Sequence, residues 1–405
     1  MFKVIQKTIE AIKDTQTPHT NNFQVICDQQ PHQPVSREWK NIEILREIKQ
    51  GNFSHAEGFS GFGGLSNALR NIEVQQALAQ ILTESELKSL YKSVSSAYFT
   101  PENIVKYCWQ IAEKLGFSGG QILEPACGVG AFFQSMPKTI TDNSSITGLE
   151  LDKITAQIAA KLYPDINVIE FDYTAFNDQG YDLIISNPPF SKTGIIDQIY
   201  NDLNGLKAHH VFLARSMRLL REGGLCIFVV PSYCLDSPTH HPRDIIAKEA
   251  ELIFAARLPD NIFTGATVTT DIVCFQRKAK PRNHYLDLTQ IQLACGYRDV
   301  LSTYYIAHQS HILGMLEKYE FLLRKENRMR RGLKVLGTMA EIDKRLPKLI
   351  DQLKPCYTSS NTVNSNVMNI QTNTEIADDQ LIKIAGNLAA VIADLNALIQ
   401  QKKAA

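Results

Sequence analysis

Between residues 96 and 280 the sequence keeps changing its hydrophobic period, and nothing else in the chain limits the fold so strongly. Seven short apolar runs, QILEPA (121–126), SITGLEL (145–151), INVIEF (166–171), YDLIIS (181–186), GLCIFVVP (224–231), ELIFAARL (251–258) and DIVCFQR (271–277), have strand length. Helix-length segments such as ENIVKYCWQIAEKL (102–115), KITAQIAAKLY (153–163) and AHHVFLARSMRLLRE (208–222) separate several of them. That alternation predicts an α/β fold, a Rossmann-like, doubly wound and mostly parallel sheet. YDLIIS shows little alternation of its own, as suits a parallel strand covered on both faces, and it ends abruptly in Asn187-Pro188-Pro189-Phe190. Two prolines cannot continue a ladder, so a rigid extended turn is expected at the strand's carboxyl end, the edge of an open α/β sheet where ligands sit.

Outside this block the periodicity is helical. Residues 1–95 read as an N-terminal helical region containing REWKNIEILREIKQ (37–50) and IEVQQALAQILTESELKSLYKSV (72–94). Residues 281–405 read as a mostly helical C-terminal region, with helices over 311–336 and 378–401 and a polar linker near 356–375. The glycine cluster GFSGFGGLSNAL (58–69) has neither the preceding strand nor the Lys-Ser/Thr ending of a phosphate loop, so it is expected to be a tight turn between helices.

Lys plus Arg and Asp plus Glu number 42 each, so any nucleic-acid surface must be a local patch rather than a global field. The cysteines have no C-x-x-C spacing, and no uninterrupted apolar run is long enough to span a bilayer. The start MFKVIQKTIEAIKD mixes charges into its apolar residues, unlike a signal peptide, and a soluble cytoplasmic protein is expected. No metal is expected: His209-His210 and His240-His241 lack further ligands at metal spacing and read as a helix start and a solvated loop.

The first strand of the block ends in EPACGVGAFF, where Gly128 and Gly130 allow a sharp strand-to-helix turn. Glu124 stands at the end of that strand, Glu150 at the end of the next, and Asp172 after the third. A strand-end carboxylate such as Glu150 can accept hydrogen bonds from ribose hydroxyls, and Asp172 could accept one from an adenine amino group. The loop lacks a full G-x-G-x-x-G, and Glu124 beside it would repel a pyrophosphate. It suits an ammonium and a sulfonium, which points to S-adenosylmethionine over NAD.

AYFTP (97–101), LEPACGVGAF (123–132), GLELD (148–152), FDY (171–173) and SNPPF (186–190), in that order, resemble the gamma-class amino DNA methyltransferases that make N6-methyladenine. The stretches LLREGGLCIFVVPS and RLPDNIFTGATVTTDIVCFQRK resemble later motifs of the same family, and the glycine cluster with LGFSGGQILEPACG is similar to the methylase modules of phage and plasmid methylase-helicase proteins. The resemblance implies a seven-stranded S-adenosylmethionine-dependent methyltransferase domain with helical additions at both ends. It gives Thr100 and Pro101 to the methionine end of the cofactor, Glu124, Ala126 and Gly128 to its amino and carboxylate groups, with Gly130 completing the turn. Glu150 takes the ribose, Asp172 the adenine, and Asn187 to Phe190 face the target base.

An exocyclic amine delocalises its lone pair into the ring and is a poor nucleophile. If the Asn187 side-chain oxygen and the Pro188 carbonyl accept its two N–H groups, the nitrogen localises that pair for in-line displacement. Pro189 helps hold the turn rigid, and Phe190 would stack on an adenine flipped from the duplex. Phe263 is a candidate second aromatic wall, and Arg324, Lys325, Arg328, Arg330, Arg331 and Lys334 are candidate phosphate contacts. Cys127 and Cys234 lack the Pro-Cys setting of a cytosine-C5 nucleophile and read as small buried residues. Three alternatives stay open: the same chemistry on ribosomal RNA, on a protein glutamine, or within a modification subunit needing a specificity or helicase-type partner.

Overall fold

A computed structural model describes residues 36–358 except 64, 66, 94–99, 192, 264–266, 282–286 and 324–327, with the backbone alone described at 92, 93, 321–323 and 328–330. The first layer contains α1 (Arg37–Lys49), α2 (Ile72–Ile81) and α3 (Glu84–Ser93). The helix expected over 72–94 is thus two helices. Thr83 and Glu86 account for the break: Thr83 N–H donates to Glu86 Oε2 at 2.9 Å, and Glu86 N–H donates to Thr83 Oγ1 at 3.4 Å, the reciprocal cap that starts a new helix.

α4 (Glu102–Lys114) leads into a seven-stranded sheet: β1 (Gly120–Glu124), β2 (Ser144–Glu150), β3 (Asn167–Glu170), β4 (Tyr181–Ser186), β5 (Leu220–Pro231), β6 (Ala250–Leu258) and β7 (Thr270–Arg277). Its order is β3-β2-β1-β4-β5-β7-β6, parallel from β3 through β5, with β7 antiparallel between β5 and β6. α5 (Lys153–Leu162) follows β2, and α6 (Ala208–Leu219) precedes β5. This is the Rossmann-like, mostly parallel sheet expected from the alternation, with the seven strands that the resemblance implied.

The unbroken apolar runs have a direct cause. Leu183 and Ile185 of β4, with Leu225, Ile227 and Val229 of β5, enter one core together with α4, while Ile184, Cys226, Phe228 and Val230 enter the other together with α6. Both faces are covered, so each position must be apolar, and each such side chain contributes about 1.5–3 kcal/mol when buried. The N-terminal layer has its own core around Leu45, Phe59, Phe62 and Leu78, which continues into Ile154 and Ile158 of α5.

After the sheet the structure departs from the helical expectation. β8 (Leu288–Gln292) pairs with β9 (Arg298–Ser302), and β10 (Met315–Leu323) pairs antiparallel with β11 (Arg328–Leu336), where a helix over 311–336 was predicted. The reason lies in cross-strand partners. Glu317 faces Lys334 and Glu320 faces Arg331 in register, and both pairs form ion pairs at 2.9 and 2.8 Å. Tyr319 lies opposite Gly332, whose missing side chain leaves room for the tyrosine ring: a Cβ there would meet that ring at 2.7 Å. Leu316, Leu333 and Val335 turn toward the core. The helix that follows β11 is α7 (Met339–Asp351), started by a Thr338–Glu341 capping box.

Candidate active site

Strands β1 and β4 are neighbours at the point where the strand order reverses, so the loops leaving their carboxyl ends diverge and open a crevice. There the structure has a cavity of about 450 Å³, walled by the loops after β1, β2, β3 and β4 and by the N-terminal layer. Its lining contains Thr100, Glu124, Ala126, Gly128, Glu150, Asp172, Asn187 and Pro189, brought together from a stretch of 90 residues in sequence.

Register explains how the acids meet. Glu124 pairs with Gly148 in the parallel ladder, and Glu150 pairs with Glu170, so each carboxylate stands at its strand's end. The loop after β1 turns through Gly128 at φ +55° and Gly130 at φ +87°, a region that side chains with a Cβ rarely enter. At Gly128 a Cβ would meet nothing within 4 Å, so the backbone conformation alone requires glycine; at Gly130 it would also strike Tyr163 at 2.4 Å. Gly128 N–H donates to Glu150 Oε2 at 3.0 Å, and Asp152 N–H donates to Glu150 Oε1 at 2.8 Å, which ties the second strand end to the loop of the first.

These bonds leave charge uncompensated. Glu124 is 1% exposed, and its Oε2 has no hydrogen-bond partner among the described residues. Burial raises the Glu124 carboxyl well above its ordinary range, and the nearby Glu150 charge raises it further. Enclosure likewise lifts Glu150 to about 7, its backbone hydrogen bonds opposing the shift. Two acids held this way favour a cationic ligand, because a positive charge would restore both to their ionised forms.

Asp172 follows β3 and caps the next turn: its Oδ1 accepts from Thr174 N at 2.9 Å and from Thr174 Oγ1 at 2.8 Å, while Oδ2 accepts from Gln198 Nε2 at 3.3 Å. Asn187 Nδ2 donates to Thr100 Oγ1 at 3.0 Å, which fixes the side-chain amide and turns its oxygen away from Thr100. Pro101 is the residue before α4, so that helix begins beside the same contact. Residues 97–99 of the AYFTP segment lie outside the described residues. Pro188 is buried, and Phe190 meets His209 edge-on at 6.1 Å between ring centroids.

Several lining residues escaped the sequence reading. Leu151 and Phe171, each next to one of the acids, are 55% and 40% exposed on the cavity. Their positions beside Glu150 and Asp172 were a usable signal. Phe59, Gly61 and Phe62 also line it, so the glycine cluster is a turn between helices and a cavity wall together. Buried Asn41 pins that turn, donating to the Gly61 carbonyl at 2.5 Å and accepting from Ser60 N–H at 3.0 Å.

Other expected residues stand elsewhere. Phe263 does not line the cavity; it is 3% exposed and packs in the core with Leu258 and Ile262. Arg324 and Lys325 lie outside the described residues, Arg328 and Arg330 lie on β11 instead of on a helix, and Arg331 and Lys334 are paired to carboxylates. His209, His210 and Cys234, all buried, bring ligating atoms within 4.8 Å of one another. Burial, with Lys207 nearby, keeps both imidazoles neutral, lowering His209 to about 2 and His210 to about 4; Cys234 is the further ligand-type residue that the spacing in the sequence did not reveal. His240 and His241 are exposed.

Residues 85–294 match the family described as N-6 DNA Methylase. The chain is similar to "Defense against restriction protein B" of Escherichia phage P1, 27% identical over 45% of this chain and 8% of that protein. It is also similar to "Type II methyltransferase M.CvrRI" of Paramecium bursaria Chlorella virus XZ-6E, 28% identical over 46% of this chain and 50% of the relative. "Type II methyltransferase M.TthHB8I" of Thermus thermophilus is 29% identical over 45% of both chains. The matched stretch spans half or less of each of these relatives.

Proposed function

From the premise that the chain belongs to the N-6 DNA methylase family, we propose that it transfers a methyl group from S-adenosylmethionine to the exocyclic N6 amine of an adenine in DNA. The observation that carries this reading is the pair of buried Glu124 and half-buried Glu150, with no counter-charge among the described residues, in the cavity that also holds Asn187. The cofactor, when bound, supplies an electrophilic methyl group on a positively charged sulfur. Its amino group fits the buried Oε2 of Glu124, and its ribose hydroxyls fit Glu150. Asp172 takes the adenine amine, between the apolar side chains of Leu151 and Phe171.

The remaining steps belong to this chain's residues. Thr100 holds the Asn187 amide so that its oxygen faces the incoming amine, and the Pro188 carbonyl accepts the second N–H. Localising the lone pair this way needs no covalent intermediate, and rigid acceptors reduce the reorganisation that the reaction requires. Phe190, braced edge-on by His209, stacks on the extruded base. Extrusion costs a few kcal/mol and one aromatic stack returns about 1–3 kcal/mol, so Phe190 roughly balances the flip and further contacts must favour it.

Incubating the protein with labelled S-adenosylmethionine and unmethylated bacterial DNA, then digesting to nucleosides, tests the reading. The expected product is N6-methyladenine, lost by about 100-fold or more in Asn187→Ala with cofactor binding retained. Label in RNA or protein instead would move the substrate class. Label in DNA only after a second subunit is added would assign sequence recognition to a specificity or helicase-type partner.

A further inference from the structure

His209 is fully enclosed, and neither of its ring nitrogens has a hydrogen-bond partner among the described residues. A neutral imidazole carries one N–H donor and one acceptor, and each polar atom left buried and unpaired counts against the fold. A phenylalanine would fill a similar space without either polar atom. Apolar packing therefore gives no reason for the imidazole.

Its neighbours supply one. His209 and His210 are consecutive in the first turn of α6, positions that do not face each other on a regular helix surface, yet their ring centroids lie 4.5 Å apart with the planes at 60°. Cys234 comes back to them on the single turn Tyr233–Asp236 that follows β5. One ligand-type atom from each of the three lies within 4.8 Å of the other two, and all three residues are buried. The cluster stands behind the Asn187–Phe190 turn. Ala208 N–H, at the start of α6, donates to Ser191 Oγ at 2.7 Å, and Ser191 directly follows Phe190. The His209 ring meets Phe190 edge-on at 6.1 Å and Tyr233 at 5.1 Å, and none of the three cluster residues lines the cavity.

We propose that His209, His210 and Cys234 hold a zinc ion, and that coordination fixes the plane of the imidazole that abuts Phe190. Two imidazole nitrogens and a thiolate suit zinc, and the set has no carboxylate to select the oxygen-seeking calcium or magnesium. Three protein ligands leave the fourth tetrahedral position to a further ligand such as water. Both imidazoles are already in the neutral, ligating form. The Cys234 thiol is raised by burial and further by Asp271, so binding must displace its proton: the S–H bond breaks, the zinc–sulfur bond forms and the proton leaves to solvent. Lys207 and Arg243 stand close enough to oppose positive charge on His210, but both favour the thiolate, whose charge cancels part of the ion's. Lys207 lies over the Tyr233 ring at 4.8 Å, and Arg243 bonds to the Ser237 carbonyl. The site is independent of which substrate the cavity takes.

The test begins with the unaltered, untagged protein produced in zinc-supplemented medium and desalted. Elemental analysis should find about one zinc per chain, and zinc-edge X-ray absorption should show one sulfur at about 2.3 Å and two imidazole nitrogens at about 2.0–2.1 Å. Cys234→Ser should weaken zinc binding at least as much as the roughly 10- to 100-fold that loss of a supporting partner costs, whereas Cys295→Ser, at an exposed cysteine, should leave it unchanged. His209→Phe keeps an aromatic ring against Phe190 and separates coordination from packing: it should stay folded and lose the metal. Protein that contains no zinc and takes up none on titration with zinc chloride would overturn the proposal. So would bound zinc without a sulfur neighbour, which the absorption spectrum decides on the unaltered protein even if Cys234→Ser fails to fold, and so would full zinc content in His209→Phe.

Discussion

Two pairs of acids lie near the same sheet and meet opposite fates. Asp236 and Asp271 close on one arginine: Arg257 donates from Nε and Nη2 to Asp271 at 2.8 and 2.9 Å and from Nη1 to Asp236, with the ring of Tyr305 under its guanidinium at 4.3 Å. Arg257 and Asp271 are also cross-strand partners in β6 and β7, so the ladder itself brings them together. Among the described residues Glu124 and Glu150 have no such arginine; backbone amides bond Glu150, and Glu124 Oε2 receives nothing. Burial without a counter-ion is a cost that folding alone would not retain. The paired set holds the sheet, and the unpaired set waits for a cation.

That contrast can be broken most severely at the paired set. Arg257→Met leaves two acids enclosed together and should destabilise the protein by about 3–5 kcal/mol, measured by urea unfolding at pH 7. Cofactor affinity measured below the unfolding transition should change little, since Arg257 does not line the cavity. At the unpaired set the pattern inverts. Glu124→Gln should weaken S-adenosylmethionine binding by roughly 10- to 100-fold, about 1.4–2.8 kcal/mol, while the unfolding midpoint stays level or rises. A large loss of stability in Glu124→Gln would mean that the carboxylate serves the fold.

A third charged set gives the smallest effect. Lys334 and Glu317 on the hairpin keep 28% and 45% side-chain exposure, so Lys334→Ala should cost within about 1 kcal/mol. Because Glu317 already neutralises Lys334, its removal should flatten the salt dependence of DNA binding by less than the slope of about one unit expected of a free phosphate contact. A full unit would show that the lysine exchanges Glu317 for phosphate.

The strand-end acids and the glycine turn were legible because their spacing follows from the sheet: one carboxylate per strand end, with register fixed by apolar runs buried on both faces. The Asn187-Pro188-Pro189-Phe190 turn was legible because proline stops a strand whatever surrounds it. The hairpin over 315–336 was misread because its cations and leucines also fit a helical period, and the signals that decide it, Glu317 with Lys334 and Tyr319 over Gly332, lie on two segments that meet only after pairing. Phe263 could not be told from an exposed aromatic without knowing which way its loop folds.

The most direct measurement of the central claim is calorimetric titration of S-adenosylmethionine from pH 6 to 8 in buffers of different ionisation enthalpy. Glu150 is raised from the ordinary carboxylate range to about 7. A raised acid lends the empty protein stability that is complete below about pH 4.5 and is lost as pH rises through about 7. A cationic ligand selects the ionised form and therefore releases a proton where the acid is still protonated. The account predicts affinity that tightens as pH rises from 6 toward 7, with net proton release at pH 6 that Glu150→Gln cuts to the share of Glu124 and Glu124→Gln cuts to the share of Glu150. Affinity and proton balance that are flat across this range, and unchanged in Glu150→Gln, would contradict the claim that these two carboxylates hold the place of a positively charged cofactor.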